Sequence, residues 1–169
     1  MPDKRELRDI LRQQLLRVEP NDEEELLSVL RLFKKNQVLA VAASDVLAER
    51  PIMKVSDSLT YIAAVVLEAA LERAFAEIVK RYGYPIGQDG DPVTEADCGF
   101  AIIGYGTLGG LELSYSSDLD LVFLHKIKEQ GMTTGEKSVS GMNFAARLAQ
   151  KLMTYLNPQT SAGRAYEVE

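Results

Sequence analysis

Through the first half of the chain, apolar residues recur at three- and four-residue spacing, and that period predicts helix. Leu7, Ile10, Leu11, Leu15 and Val18 mark a first amphipathic helix, stopped by Pro20. Asn21, with Glu24 three residues on, predicts a capping-box start to a second helix. That helix carries Leu26, Leu30 and Phe33, runs to about Ala48 and ends before Pro51, and its polar middle, residues 34–37, permits a bend. A third helix follows from a continuous stripe: Leu59, Ile62, Ala63, Val66, Leu67, Ala70, Leu71, Ala74, Phe75 and Ile78. Ser56 suits its N-cap, Lys80 and Arg81 suit the negative end of its dipole, and Gly83 suits its stop.

Beyond a Gly-, Pro- and Asp-rich loop over residues 84–97 the period shortens. Residues 100–104 (FAIIG) and 119–124 read as two short buried strands. On the second, Asp118, Asp120, Val122 and Leu124 share one face, and Leu119, Leu121 and Phe123 share the other. A polar connection over 126–137 leads to a last helix over 140–156, with Phe144, Leu148, Leu152 and Met153 toward a core. Asn157-Pro158 ends it, and residues 165–168 begin another strand. The fold class expected is α+β: a helical segment over residues 1–83, then a small mixed β-sheet with helices over 84–169.

The 169 residues are 46% hydrophobic and 26% charged, ordinary for a soluble globular protein. A net charge of -6 disfavours nucleic acid, because phosphate backbones need a basic surface. Cys98 is the only cysteine, so no disulfide framework or thiolate metal cluster forms. The longest apolar runs are too short to span a bilayer, and no secretory leader opens the chain, which predicts a cytoplasmic protein without a membrane partner.

The chemistry concentrates in GYGTLGGLELSYSSDLDLVFLH, residues 104–125. Asp118 and Asp120 leave one side of a strand, and two close carboxylates repel each other unless a cation sits between them. Mg²⁺ prefers such oxygen ligands, binding through one or two carboxylates plus substrate phosphates. Two ions held this way stabilise both the attacking and the leaving oxygen of an in-line displacement. Upstream, Gly109 and Gly110 lack Cβ atoms and allow backbone to approach phosphate oxygens, with the Ser116 and Ser117 hydroxyls as further donors.

This string resembles the signature of the glutamine synthetase adenylyltransferases, within the DNA polymerase beta-type nucleotidyltransferase superfamily. The similarity extends to PIMKVSDSLTYIA at 51–63, RLAQKLM at 147–153 and TSAGRAYEVE at 160–169. Such enzymes carry two homologous nucleotidyltransferase halves, and YSSDLDL with the helices before it is more similar to the carboxy-terminal, adenylylating half. The resemblance implies a nucleotidyltransferase fold and transfer of AMP from ATP to a tyrosine of glutamine synthetase, with release of pyrophosphate. It assigns Asp118 and Asp120 to Mg²⁺ and Gly109 and Gly110 to the triphosphate turn, with Glu169 where the family has a third aspartate. It also implies a PII-type signalling protein as a partner through the full-length enzyme. The family has lysine where this chain has Thr107, and it continues past residue 169, so a truncated piece with weak or no activity alone is expected. Two alternatives stand: the half that removes AMP by phosphorolysis, and an inert core serving as a protein-interaction or regulatory module. A nucleotidyltransferase acting on nucleic acid or a small molecule is disfavoured by the charge and by the extended resemblance.

Other residues read more plainly. His125 ends the second strand, and two-metal transfer does not need it as a base. Cys98 reads as a packing residue, the acidic run 22–25 as a helix start, and Arg147 with Lys151 as a solvated helix face in preference to triphosphate ligands. Glu112 is evenly placed between a turn cap and a support for the metal site.

Overall fold

The computed structural model describes residues 2–48, 51–157 and 165–168. Helix α1 (Lys4–Leu15) opens with a capping box: the Glu6 N–H donates to Asp3 Oδ1 (2.8 Å) and the Asp3 N–H to Glu6 Oε2 (2.9 Å). It ends well before Pro20, and Val18 is buried in the turn that follows. Helix α2 (Glu23–Ala48) is capped by Asp22, one residue later than Asn21, with Asp22 Oδ1 accepting the Glu25 N–H at 2.8 Å. A carboxylate caps and also meets the positive end of the dipole, which favours aspartate over asparagine here. The helix continues through residues 34–37. Lys34 belongs there because its ammonium lies 4.2 Å from the centroid of the buried Tyr166 ring. Helix α3 (Ile52–Tyr82) begins directly after Pro51, whose carbonyl accepts the Lys54 N–H at 2.8 Å, so Ser56 lies inside the helix and not at its cap. Proline fixes its own φ and fits a helix entrance, which moves the start forward. The helix stops at Gly83, in the left-handed region at φ +79°.

The chain forms two compact units, one of residues 1–69, 104–120 and 155–169, the other of 70–103 and 121–154. In the first, Leu7, Leu11, Leu26, Leu30, Phe33, Leu59 and Ile62 are buried at the helical spacings that predicted them. Glu68 of α3 holds two cations of α1, Lys4 at 2.8 Å and Arg8 at 2.8 Å. In the second, Phe75 meets Phe144 edge to face, with ring centroids 5.7 Å apart and planes at 72°. Phe144, Leu148 and Leu152 are the buried stripe of α5 (Gly141–Leu156). Cys98 is buried, and burial raises its thiol pKa, in keeping with a packing role.

Strands β1 (Ala101–Gly104) and β2 (Leu121–Leu124) pair with each other. The Lys126 N–H donates to the Cys98 carbonyl (3.0 Å) and the Tyr105 N–H to that of Asp120 (2.9 Å). One partner number falls as the other rises, so the pairing is antiparallel. A parallel bridge joins Leu119 to Val168. The result is the expected α+β class, with a short helix α4 (Gly106–Gly109) that the periodicity did not announce. The segment 84–97 is folded back on itself: an antiparallel bridge joins Ile86 to Pro92, and the Gly87 N–H donates to the Asp91 carbonyl at 2.9 Å. Among the described residues no helix is long and apolar enough to cross a membrane.

Two outcomes follow. Phe144→Ala removes a fully buried ring and its partner contact with Phe75, and urea unfolding should show a loss of about 3–5 kcal/mol. Burial pushes the Glu68 carboxyl up, but Lys4 and Arg8 outweigh it and hold its pKa below the ordinary value of 4.5. A carboxyl lowered on folding stabilises above its unfolded pKa, and that contribution is lost as pH falls through the folded value. The pair is well exposed, so screening keeps the effect below about 1 kcal/mol. Glu68→Gln should therefore lower Tm slightly at pH 7, and the difference should shrink as pH falls below the ordinary carboxylate range.

Candidate functional site

The segment joining β1 to β2, residues 104–120, is built around one buried side chain. Leu119 is wholly buried, while Asp118 and Asp120 on either side are exposed. Extended backbone alternates, so fixing Leu119 inward directs both carboxylates outward on the same side. Three backbone contacts hold that register: the Leu119 N–H on the Glu167 carbonyl (2.9 Å), the Leu119–Val168 bridge, and the Tyr105 N–H on the Asp120 carbonyl (2.9 Å). Asn157 secures the neighbouring segment, since its Oδ1 accepts the Val168 N–H at 2.9 Å. Neither aspartate carboxylate has an ion pair or hydrogen bond to another described residue.

Gly106 is the position that sequence reasoning missed. It sits at φ +53°, and a Cβ built there would overlap Asp120 Oδ2. The Asp120 carboxylate can therefore rest against this turn only because residue 106 has no side chain. A glycine two residues past the end of the strand read over 100–104 was the available signal. Gly109 is also constrained, with a Cβ reaching to 2.5 Å from the Gly104 carbonyl oxygen, whereas at Gly110 the nearest atom would be 3.4 Å away. The N–H groups of Gly109 and Gly110 donate to the carbonyls of Tyr105 and Gly106, each at 3.0 Å. Gly109 is thus required by close packing of the turn, while Gly110 is not. The donors without an intrahelical acceptor are those of the first helical positions, Gly106, Thr107 and Leu108. Leu111 follows in the left-handed region at φ +58°, a conformation costing a non-glycine residue on the order of 1 kcal/mol.

The serines divide in role. Ser117 Oγ accepts the Ser114 N–H (2.9 Å) and lies 2.8 Å from Ser114 Oγ, closing the turn ahead of the aspartates. Ser116 is exposed. Tyr115, between them in sequence, donates its hydroxyl to Asp45 Oδ2 of α2 at 3.1 Å. Burial and the neighbouring carboxylate raise the Tyr115 phenol pKa. Nothing in the sequence marks that pair, because seventy positions separate the two residues. The Glu112 side chain is exposed, and its N–H donates to the Thr107 carbonyl at 2.8 Å. His125 is half-buried, with Nδ1 lacking a partner among the described residues.

Exposed hard oxygens on one side of an extended segment fit Mg²⁺, which takes one or two carboxylates and completes its shell with phosphate and water. Among the described residues no three His, Cys, Asp or Glu side chains gather as metal ligands. Glu169, the expected third carboxylate, lies outside the described residues.

The model of the family described as glutamate-ammonia ligase adenylyltransferase matches residues 1–169. A bifunctional glutamine synthetase adenylyltransferase/adenylyl-removing enzyme of Acinetobacter baylyi is 53% identical over 169 residues, which is 100% of this chain and 18% of that protein. With a match along its whole length, the chain belongs to the glutamate-ammonia ligase adenylyltransferase family.

Proposed function

We propose that residues 104–120 form the nucleotide- and metal-binding core of an adenylyl transfer site, with Asp118 and Asp120 holding Mg²⁺ and ATP as the nucleotide. The observation that carries this reading is the pair of exposed carboxylates, aimed one way by buried Leu119 and left without a protein counter-charge among the described residues. Bound Mg²⁺ would neutralise charge developing on the transferred phosphoryl group and its leaving pyrophosphate. The chain's own part is placement. Asp118 and Asp120 fix the cation position, and Gly106 keeps the Asp120 carboxylate against the turn. The N–H groups opening α4 and the Ser116 hydroxyl supply donors for the triphosphate, with Gly109 packing the turn that presents them and Gly110 leaving its outer side open. Thr107 stands where a lysine would add a charge.

The acceptor in this reading is a tyrosine hydroxyl of glutamine synthetase, and the reaction attaches AMP to it. Its support is the printed name of the 53% identical relative together with the acidic net charge of -6, which suits a protein acceptor better than a nucleic acid. That relative is named for adenylyl removal as well, so phosphorolytic removal of AMP by this half is the second reading. A PII-type signalling protein would act through the longer parent chain, since this chain corresponds to 18% of the relative.

Label transfer from α-labelled ATP with Mg²⁺ to purified glutamine synthetase tests the assignment, with this chain and the longer parent protein assayed together. Asp118→Asn or Asp120→Asn should each lower transfer on the order of 100-fold or more. Transfer that survives both substitutions contradicts the metal assignment, and removal of AMP that needs orthophosphate assigns the other reaction. Gly106→Ala should cost roughly 1 kcal/mol in backbone strain and weaken Mg²⁺ binding about tenfold by displacing Asp120, while Gly110→Ala should leave Mg²⁺ affinity within about twofold. Calorimetric Mg²⁺ titration of both variants checks the contrast.

A further inference from the structure

The second unit carries a cleft of about 490 Å³ between the last turns of α3 and the middle of α5. That volume lies within the range of roughly 300–1,000 Å³ usual for small-molecule sites. Its rim is basic: Lys80, Arg81, Arg147 and Lys151 all line it, in a chain whose net charge is -6. Glu77 is the acidic residue of the lining, and Lys151, with a side chain only 16% exposed, holds it at 2.8 Å. The field inside the cleft therefore opposes that of the molecule as a whole, which concentrates anions there.

The two arginines are held in place. Tyr82 is only 6% exposed, and both guanidinium carbons stand near its ring centroid, Arg147 at 5.0 Å and Arg81 at 5.3 Å. Contact with an aromatic ring leaves a guanidinium's N–H donors available, in the fork geometry that matches phosphate. Anchoring on a buried ring also removes part of the side-chain entropy that binding would otherwise cost. Because cations occupy the neighbourhood of the Tyr82 ring, the cleft favours phosphate groups over a stacked base.

We propose that this cleft binds the phosphate groups of a small phosphate-bearing ligand, with Arg81 and Arg147 as its paired anchors and Gln150 as a neutral donor beside them. Free pyrophosphate and the triphosphate of a nucleotide share the required chemistry. The site needs no Mg²⁺, so it is separable by experiment from the function proposed above.

The test is calorimetry on the full chain in EDTA at low salt, with sodium pyrophosphate, ATP, inorganic phosphate and adenosine as titrants. Saturable binding of pyrophosphate or ATP, no binding of adenosine, and weakening of affinity as salt rises are expected. Pyrophosphate binding tighter than that of ATP would identify the free ion as the ligand, and the reverse order the nucleotide. The double variant Arg81→Gln, Arg147→Gln should lose at least tenfold in affinity. Should that variant fail to fold, amide shift changes on adding pyrophosphate to the native chain decide, and they are expected at residues 77–82 and 147–154. No saturable binding, undiminished affinity in a folded double variant, or shifts confined to other residues would overturn the proposal. So would a cleft that takes up only a poly-glutamate peptide, since that identifies a protein-docking surface.

Discussion

Burial of Leu119 is the constraint on which the rest of the site depends. One apolar side chain, with no exposed surface, sits between two acids in an extended stretch, and the alternation of β backbone does the rest. Were the register to slip by one residue, both carboxylates would enter the apolar interior and Leu119 would face water. Desolvating two like charges would cost several kcal/mol each, far above the worth of any single local hydrogen bond. Hydrogen bonds from Leu119 to Glu167 and from Tyr105 to Asp120 keep that slip from occurring at either edge.

Around this stretch the backbone follows unusual conformations. Gly106 and Leu111 both lie at positive φ, the first opening the short helix α4 and the second following its end. A turn so tight lets the backbone of residues 106–108 and the Asp120 carboxylate share one small volume, which a side chain at 106 would fill. The Asp45–Tyr115 hydrogen bond and the Ser114–Ser117 pair brace the remainder of the segment. Strain at 111 and bracing at 115 belong together, since a left-handed leucine persists only where its surroundings hold it.

The sequence revealed elements whose evidence is periodic or local. The apolar stripe of α3, the Gly83 stop and the Phe144, Leu148 and Leu152 face of α5 were legible because helix spacing writes burial directly into the chain. So was the shared face of Asp118 and Asp120, from a period of two. Starts were less legible: Asp22 displaced Asn21 as a cap, and Pro51 moved the start of α3 ahead of Ser56, because adjacent candidates differ by little energy. Contacts across long separations left no trace at all. The Asp45–Tyr115 bond, the Lys34–Tyr166 contact and the contact of Arg147 with the Tyr82 ring depend on folding; Arg147 is exposed as the solvated helix face predicts, whereas Lys151 is half-buried on Glu77.

The central claim is that Asp118 and Asp120 together bind a divalent cation. Titrating the chain with Mn²⁺ and following paramagnetic broadening of its backbone amides tests it most directly. The account predicts broadening first at residues 118–120 and 105–108, reversed by excess Mg²⁺ and abolished by Asp120→Asn. Broadening that begins elsewhere, or that persists unchanged in Asp120→Asn, would contradict it.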